Sequence, residues 1–197
     1  MNIKLRLLSI WTPKFILKRE LTRTSHLTMD YLDQLLKQYG IPLPQKEPIN
    51  GNLEEIRTYM GFRHNHRVDS LIKTLGKEKA IELGKAQMYA AGLKLGLEAR
   101  ELLHVKSLED TFAAAKILYK VLGIEFNIVY EQKNIIVYIN TCALAEQYSA
   151  ETCIIMSSAD KGVLKGLNDD LDMEFIERIT TGAEKCKACI NNSGQKK

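Results

Sequence analysis

The sequence predicts an α+β fold, with a helical N-terminal half followed by an antiparallel sheet of two hairpins with a helical insertion. Apolar residues recur at helical spacing through the first half, over 29–39, 53–60 and 68–75 and along the stretch Lys77–Leu103. After Gly123 the period changes. Ile124–Glu131 (IEFNIVYE) alternates apolar and polar residues, 132–134 reads as a turn, and 135–139 is a β-branched and aromatic run, together a hairpin. No Gly-rich phosphate loop follows a strand, which separates this order of elements from a βαβ nucleotide fold.

The elements follow in order. Thr28 is placed to cap a helix over 29–39, with Met29, Leu32, Leu35, Leu36 and Tyr39 at helical spacing. Gly40 ends it, and 41–52, with Pro42, Pro44 and Pro48, reads as a linker. Between the helices at 53–60 and 68–75, Arg63-His64-Asn65-His66-Arg67 reads as a solvated turn. Its i, i+2 histidines lack the i, i+4 spacing of helical zinc ligands. The long helix Lys77–Leu103 contains Gly84, Gly92 and Gly96. Each interior glycine costs about 1 kcal/mol relative to alanine, so close packing of Gly92 and Gly96 against a neighbour is expected. His104 ends that helix. Ser107 caps the next, over 108–122, with an acidic first turn. A helical stretch is expected from Ala143 and again over 154–167. A last strand pair, 174–180 and 185–190, then turns at Gly182.

Composition bounds the function. With 45% hydrophobic and 26% charged residues, 197 residues suffice for one globular core. The expected organisation is an N-terminal arm, helix and Pro-rich linker over 1–48, one α+β domain over 49–190, and a frayed tail over 191–197. No apolar run reaches the ~18 residues that cross a bilayer, and no secretory signal is legible. The expected location is therefore cytoplasmic, with the four cysteines reduced. Residues 1–24 are strongly basic: Lys4, Arg6, Lys14, Lys18, Arg19 and Arg23 face only Glu20. Their interleaved apolar residues point to docking on the protein's own core or on a second subunit, as in a homo-oligomer. No aromatic platform or basic stripe elsewhere supports nucleic acid.

The reactive groups cluster late in the chain. Cys142 ends a strand, where the N-terminus of a following helix would favour thiolate. Cys153 opens an apolar helical run, with Ser157 one turn on and Asp160 beyond. Cys186 and Cys189 form a CxxC pair, but residues three apart on a strand face opposite ways. A zinc site on Cys142, Cys153, Cys186 and Cys189 is the alternative, although the spacing is not that of paired CxxC knuckles.

These residues resemble the L-2-amino-thiazoline-4-carboxylic acid hydrolase family and, more distantly, 4-vinyl reductase-type small-molecule-binding domains. The resemblance rests on Thr141-Cys142-Ala143-Leu144-Ala145-Glu146, on Asp160 with Gly166-Leu167, and on Gly182-Ala-Glu-Lys-Cys186. It departs where a cysteine is expected three residues before Asp160. Ser157 stands there, and Cys153 lies one turn earlier. The resemblance implies hydrolytic opening of a small cyclic amidine, with Cys142, Asp160 and Cys186 catalytic, Cys153 and Ser157 in the binding pocket, and no cofactor. The alternative is a dimeric, non-catalytic small-molecule-binding or sensor domain with zinc on the cysteines.

Overall fold

The computed structural model describes residues 5, 8, 11–45, 48–131 and 134–192. Ile3, Lys4, Arg6, Leu7 and Ile10 of the basic arm, the hairpin turn at 132–133 and the tail beyond 192 lie outside the described residues. The helices are α1 (Lys14–Gln38), α2 (Leu53–Leu75), α3 (Lys77–Leu103), α4 (Leu108–Leu122) and α5 (Ala150–Leu167). The strands are β1 (Ile124–Glu131), β2 (Asn134–Cys142), β3 (Leu171–Glu177) and β4 (Cys186–Asn192). They form an antiparallel sheet in the order β1-β2-β4-β3, so the two hairpins meet where β2 pairs with β4. The architecture is the predicted α+β one, with α5 as the insertion between the hairpins. No helix among the described residues is long and apolar enough to cross a membrane.

In the first half of the chain two helix boundaries differ from the sequence reading, and in the second β3 runs over Leu171–Glu177 where the sequence predicts 174–180, with β4 reaching Asn192. α1 begins at Lys14, fifteen residues before the expected start. Thr28 is therefore mid-helix, its hydroxyl donating to the Thr24 carbonyl at 3.0 Å. The expected helices at 53–60 and 68–75 are one continuous α2. Asn52 starts it with a reciprocal capping box: its side chain accepts from the Glu54 and Glu55 amides at 2.9 and 3.0 Å, and its own amide donates to Glu55 at 2.7 Å.

The polar run 63–67 is thus not a solvated turn. Arg63, His64 and Arg67 are buried. Arg63 donates through Nη2 to the Gln45 carbonyl and lies over the Tyr59 ring, while its Nε has no hydrogen-bond partner among the described residues. Arg67 grips Asp33 of α1 through Nε at 2.7 Å and Nη2 at 3.1 Å, a buried bidentate pair. His64 bonds Thr28 at 2.9 Å and Tyr148 at 2.8 Å. Asn65 donates to the Gln147 carbonyl at 2.6 Å and accepts from the Ser149 amide at 3.2 Å, tying α2 to the segment after Cys142. Polarity in this stretch marks an internal network, which periodicity alone reads as surface.

The central contact is between α3 and α5. The expected close packing of Gly92 and Gly96 is present, and α5 answers with Gly162 and Gly166 at the same four-residue spacing. A Cβ on Gly92 would lie 2.7 Å from the Ala159 Cα, with the Ala159 carbonyl oxygen nearer still. On Gly96 it would lie 2.9 Å from the Gly166 Cα. On Gly162 and Gly166 it would lie 2.6 Å from backbone atoms of Leu93. The two backbones therefore touch directly, and only glycine fits. The other side of α5 and one face of α4 cover the sheet through Phe112, Tyr119, Leu164, Val137, Ala188 and Ile190.

Because backbone atoms oppose each of these glycines, Gly92→Ala forces the helices apart. It is expected to cost about 3 kcal/mol of stability, read as a lowered denaturant midpoint with an unchanged m-value.

Candidate functional site

Fixing α5 against α3 leaves Cys153, Ser157 and Asp160, at i, i+4 and i+7, on one side of the helix. Cys142 approaches from the end of β2, paired with Ile124. Cys186 approaches from the start of β4, on the buried sheet face. The 3-10 turn Ile179–Thr181 and left-handed Gly182 (φ 96°) connect β3 to β4 and place Arg178 and Thr180 over the same region. No atom lies within 4 Å of a Cβ built on Gly182, so its backbone angle is what calls for glycine.

The structure brings together Cys142, Cys153, Cys186 and Asp160, close enough for their charges to act on one another. Burial pushes the Cys142 thiol up to about 11. The amides of Leu144 and Ala145 donate toward its sulfur and oppose that rise, while Asp160 and Cys153 add to it. The expected helix at Ala143 is instead a turn, and α5 starts only at Ala150. The thiol therefore has two turn amides but no helix N-terminus, and burial wins. The Cys153 and Cys186 thiols are also raised, again first by burial. Cys186 Sγ accepts from the Ile179 amide at 3.3 Å.

Asp160 keeps partial solvent exposure, yet burial is still the largest cause pushing its carboxyl up to about 7. The Tyr119 hydroxyl donates to it, and that bond and the Arg178 guanidinium both hold the value down. Ser157 is buried. It accepts from Arg178 Nη2 at 3.3 Å and donates to the Ile154 carbonyl at 3.1 Å, so it faces the cation and not a thiol. Arg178 also stacks on Phe175 at 4.9 Å.

Cys189 stands apart from this cluster. Strand alternation turns Cys186, Ala188 and Ile190 inward and Cys189 to the opposite sheet face. Among the described residues, no group of three or more His, Cys, Asp or Glu side chains is arranged to hold a metal ion.

Two spaces adjoin the cluster. An apolar cavity of about 30 Å³ lies between α4, α5 and the sheet, with Asp160 on its wall beside Phe112, Tyr119, Met173 and Ile190. It has room for little more than a water. The second is an open cleft of about 590 Å³ lined by Cys142 with Glu54, Arg57, Glu146, Ile179 and Glu184. It is of the size that small-molecule sites occupy.

Sequence reasoning missed Arg178, Tyr119, Tyr148 and His64. Tyr148 is raised well above its usual range by burial and then by the charges of Cys142, Cys153 and Asp160. Its hydroxyl also meets His64 Nδ1, so a histidine does reach the edge of the cluster. That ring is held neutral: burial and then Arg67 push it down to about 3. None of these residues carries a local motif, because each arrives from a different element.

The site is therefore that of an α+β protein in which three thiols cluster about one carboxyl that burial pushes up to about 7. The family model for L-2-amino-thiazoline-4-carboxylic acid hydrolase matches residues 65–190, more than half of the chain, and the chain belongs to that family. No curated protein matches it. Among solved structures it is similar to a trafficking protein particle complex subunit 3 from Naegleria fowleri, covalently bound to palmitic acid. That match has 14% identity and a TM-score of 0.54, over 69% of this chain and 94% of that one. The phenol-responsive sensory domain of the transcription activator PoxR, with phenol, matches at 14% identity and a TM-score of 0.49, over 84% of this chain and 90% of that one.

Asp160 has a defined consequence for stability. From about pH 4 to 7 the folded protein keeps a proton on Asp160 that the unfolded chain releases. Stability therefore falls as pH rises through that window, by at most about 1.4 kcal/mol per pH unit. His64 acts in the opposite sense, favouring the unfolded chain as pH falls from 6.5 toward 3. Asp160→Asn is expected to gain stability relative to wild type as pH is raised from 4 to 7. Urea denaturation at several pH values reads this, and parallel curves for the two proteins would contradict it.

Proposed function

We propose that the protein hydrolyses a C–N bond of a small cyclic amidine such as 2-amino-thiazoline-4-carboxylate, with Cys142 as nucleophile and Asp160 as proton carrier. Family membership supports hydrolase chemistry. The observation that carries the assignment to residues is the cleft of about 590 Å³ that opens on Cys142, whose thiol is within electrostatic reach of a carboxyl poised near pH 7. A base with that pKa is half-ionised at neutral pH and both accepts and returns a proton efficiently.

In this reading Cys142 Sγ attacks the ring carbon between nitrogen and sulfur, and its proton passes to the Asp160 carboxylate. The C=N electron pair moves to the ring nitrogen, which takes the proton back from Asp160. The C–N bond then breaks as the exocyclic nitrogen's lone pair forms C=N and one of its protons passes to the leaving ring amine. Water next adds to that carbon, which expels the Cys142 sulfur, and a water proton restores the thiol. The turn amides of Leu144 and Ala145 steady the sulfur as it becomes anionic. Cys186 holds its place through the Ile179 amide, and Ser157 keeps Arg178 beside Asp160. We place the activity in the cytosol, where these thiols stay reduced.

One observation favours a second reading, a non-catalytic small-molecule-binding domain. A thiol raised to about 11 is a poor resting nucleophile. Binding and turnover measured together separate the two, since 2-amino-thiazoline-4-carboxylate that binds and is not turned over would support the second.

The hydrolase reading expects turnover of 2-amino-thiazoline-4-carboxylate that falls about a hundredfold or more in Cys142→Ser. It also expects a pH–rate limb near 7 that disappears in Asp160→Asn. With no substrate bound, iodoacetamide should label Cys142 slowly at pH 7 and faster toward pH 11. Undiminished turnover by Cys142→Ser would sink the nucleophile assignment.

A further inference from the structure

The cleft over Cys142 is charged in a particular pattern. Glu54, Glu146 and Glu184 line it and are exposed, whereas Arg57 of α2 is the one cation among its described lining residues. Arg57 lies outside the matched family segment, and it is fixed in place. Its Nε donates to the Val121 carbonyl at 3.3 Å. Its Nη2 donates to Val121 at 2.9 Å and to Lys120 at 3.3 Å, closing the C-terminus of α4.

The guanidinium packs over Gly123, where an added Cβ would come within 2.7 Å of its Cζ. The Gly123 carbonyl accepts from the Ala143 amide at 3.2 Å, and Ala143 directly follows Cys142. The fork is therefore anchored on its Nε and Nη2 side, against the glycine whose carbonyl holds the residue following Cys142. Its Nη1 makes no hydrogen bond among the described residues. A rigid guanidinium with a free edge is suited to a carboxylate, and the surrounding glutamates are suited to a cation.

We infer that Arg57 is the specificity residue of this cleft. Its Nη1 edge receives the carboxylate of a small zwitterion, while the glutamates hold the cationic amidine end over Cys142. The inference rests on the hydrolase reading for the reaction, but binding by itself tests it. A purely structural Arg57 would cap α4 and leave ligand choice unchanged.

The test is calorimetric titration of the full chain with two probes, 2-amino-thiazoline-4-carboxylate and 2-amino-thiazoline lacking the carboxylate. Wild type is expected to bind the acid about tenfold or more tightly than the analogue. In Arg57→Gln that preference collapses toward one. Arg57→Lys, which keeps the charge without the fork, retains part of it and serves alone if the glutamine variant does not fold. Equal or absent binding of the two probes by wild type overturns the inference, as does a preference that survives in Arg57→Gln. If the acid binds through Arg57 but is not turned over, the inference stands and the hydrolase reading falls. If it is turned over with an Arg57-independent preference, the reverse holds.

Discussion

The backbone-on-backbone contact between α3 and α5 is the constraint on which the rest depends. Four glycines, two per helix and four residues apart, let the helices approach until an added methyl carbon would meet main-chain atoms. Three things follow. One side of α5 is committed to α3, so Cys153, Ser157 and Asp160 are left for the other. The distance between the helical layer and the sheet is set, since α5 also contributes Leu164 to the sheet-facing core. And α5 lies close enough to the ends of β2 and β4 for Cys142 and Cys186 to share an environment with Asp160.

Within that frame, burial and not helix dipoles governs the chemistry. Every thiol in the cluster has its ionised form disfavoured by loss of solvent, and the opposing donors, turn amides for Cys142 and the Ile179 amide for Cys186, offset this only in part. The same desolvation lifts Asp160 into the neutral range. In the proposed hydrolase reading, a carboxyl near 7 beside thiols that stay protonated means that proton transfer precedes or accompanies attack. That differs from attack by a pre-formed thiolate. The polar network of α1 and α2 works on a different level. Asp33–Arg67 and Thr28–His64–Tyr148 lock these helices together, and Asn65 holds the turn after Cys142 through Gln147 and Ser149.

Much of this was legible in the sequence, for physical reasons. The switch from helical to alternating period at Gly123 marks the boundary between helices and sheet, and the glycine pair at 92 and 96 announces a close approach. Cys142 and Cys186 could be named because one ends a strand and the other opens one, and Asp160, inside α5, because it belongs to the short motifs of the family resemblance. The misreadings share one cause: they fall where tertiary partners override local pattern. Residues 63–67 look solvated until Asp33, Tyr148 and Gln147 are brought to them. Ala143 looks like a helix start, yet the chain turns there, and α5 begins only after Ser149 caps it. Arg57 and Arg178 carry no signal at all, since their meaning lies in residues over sixty and about twenty positions away.

The central claim is that the glycine contact creates the environment of Asp160. The most direct measurement is a carbon-13 NMR titration of the Asp160 carboxyl in wild type and in Gly162→Ala. A wild-type midpoint near 7, shifting down toward the ordinary carboxylate range when the added methyl forces α5 from α3, is what the structure predicts. A wild-type midpoint near 4, or one near 7 that Gly162→Ala leaves unmoved, would contradict it.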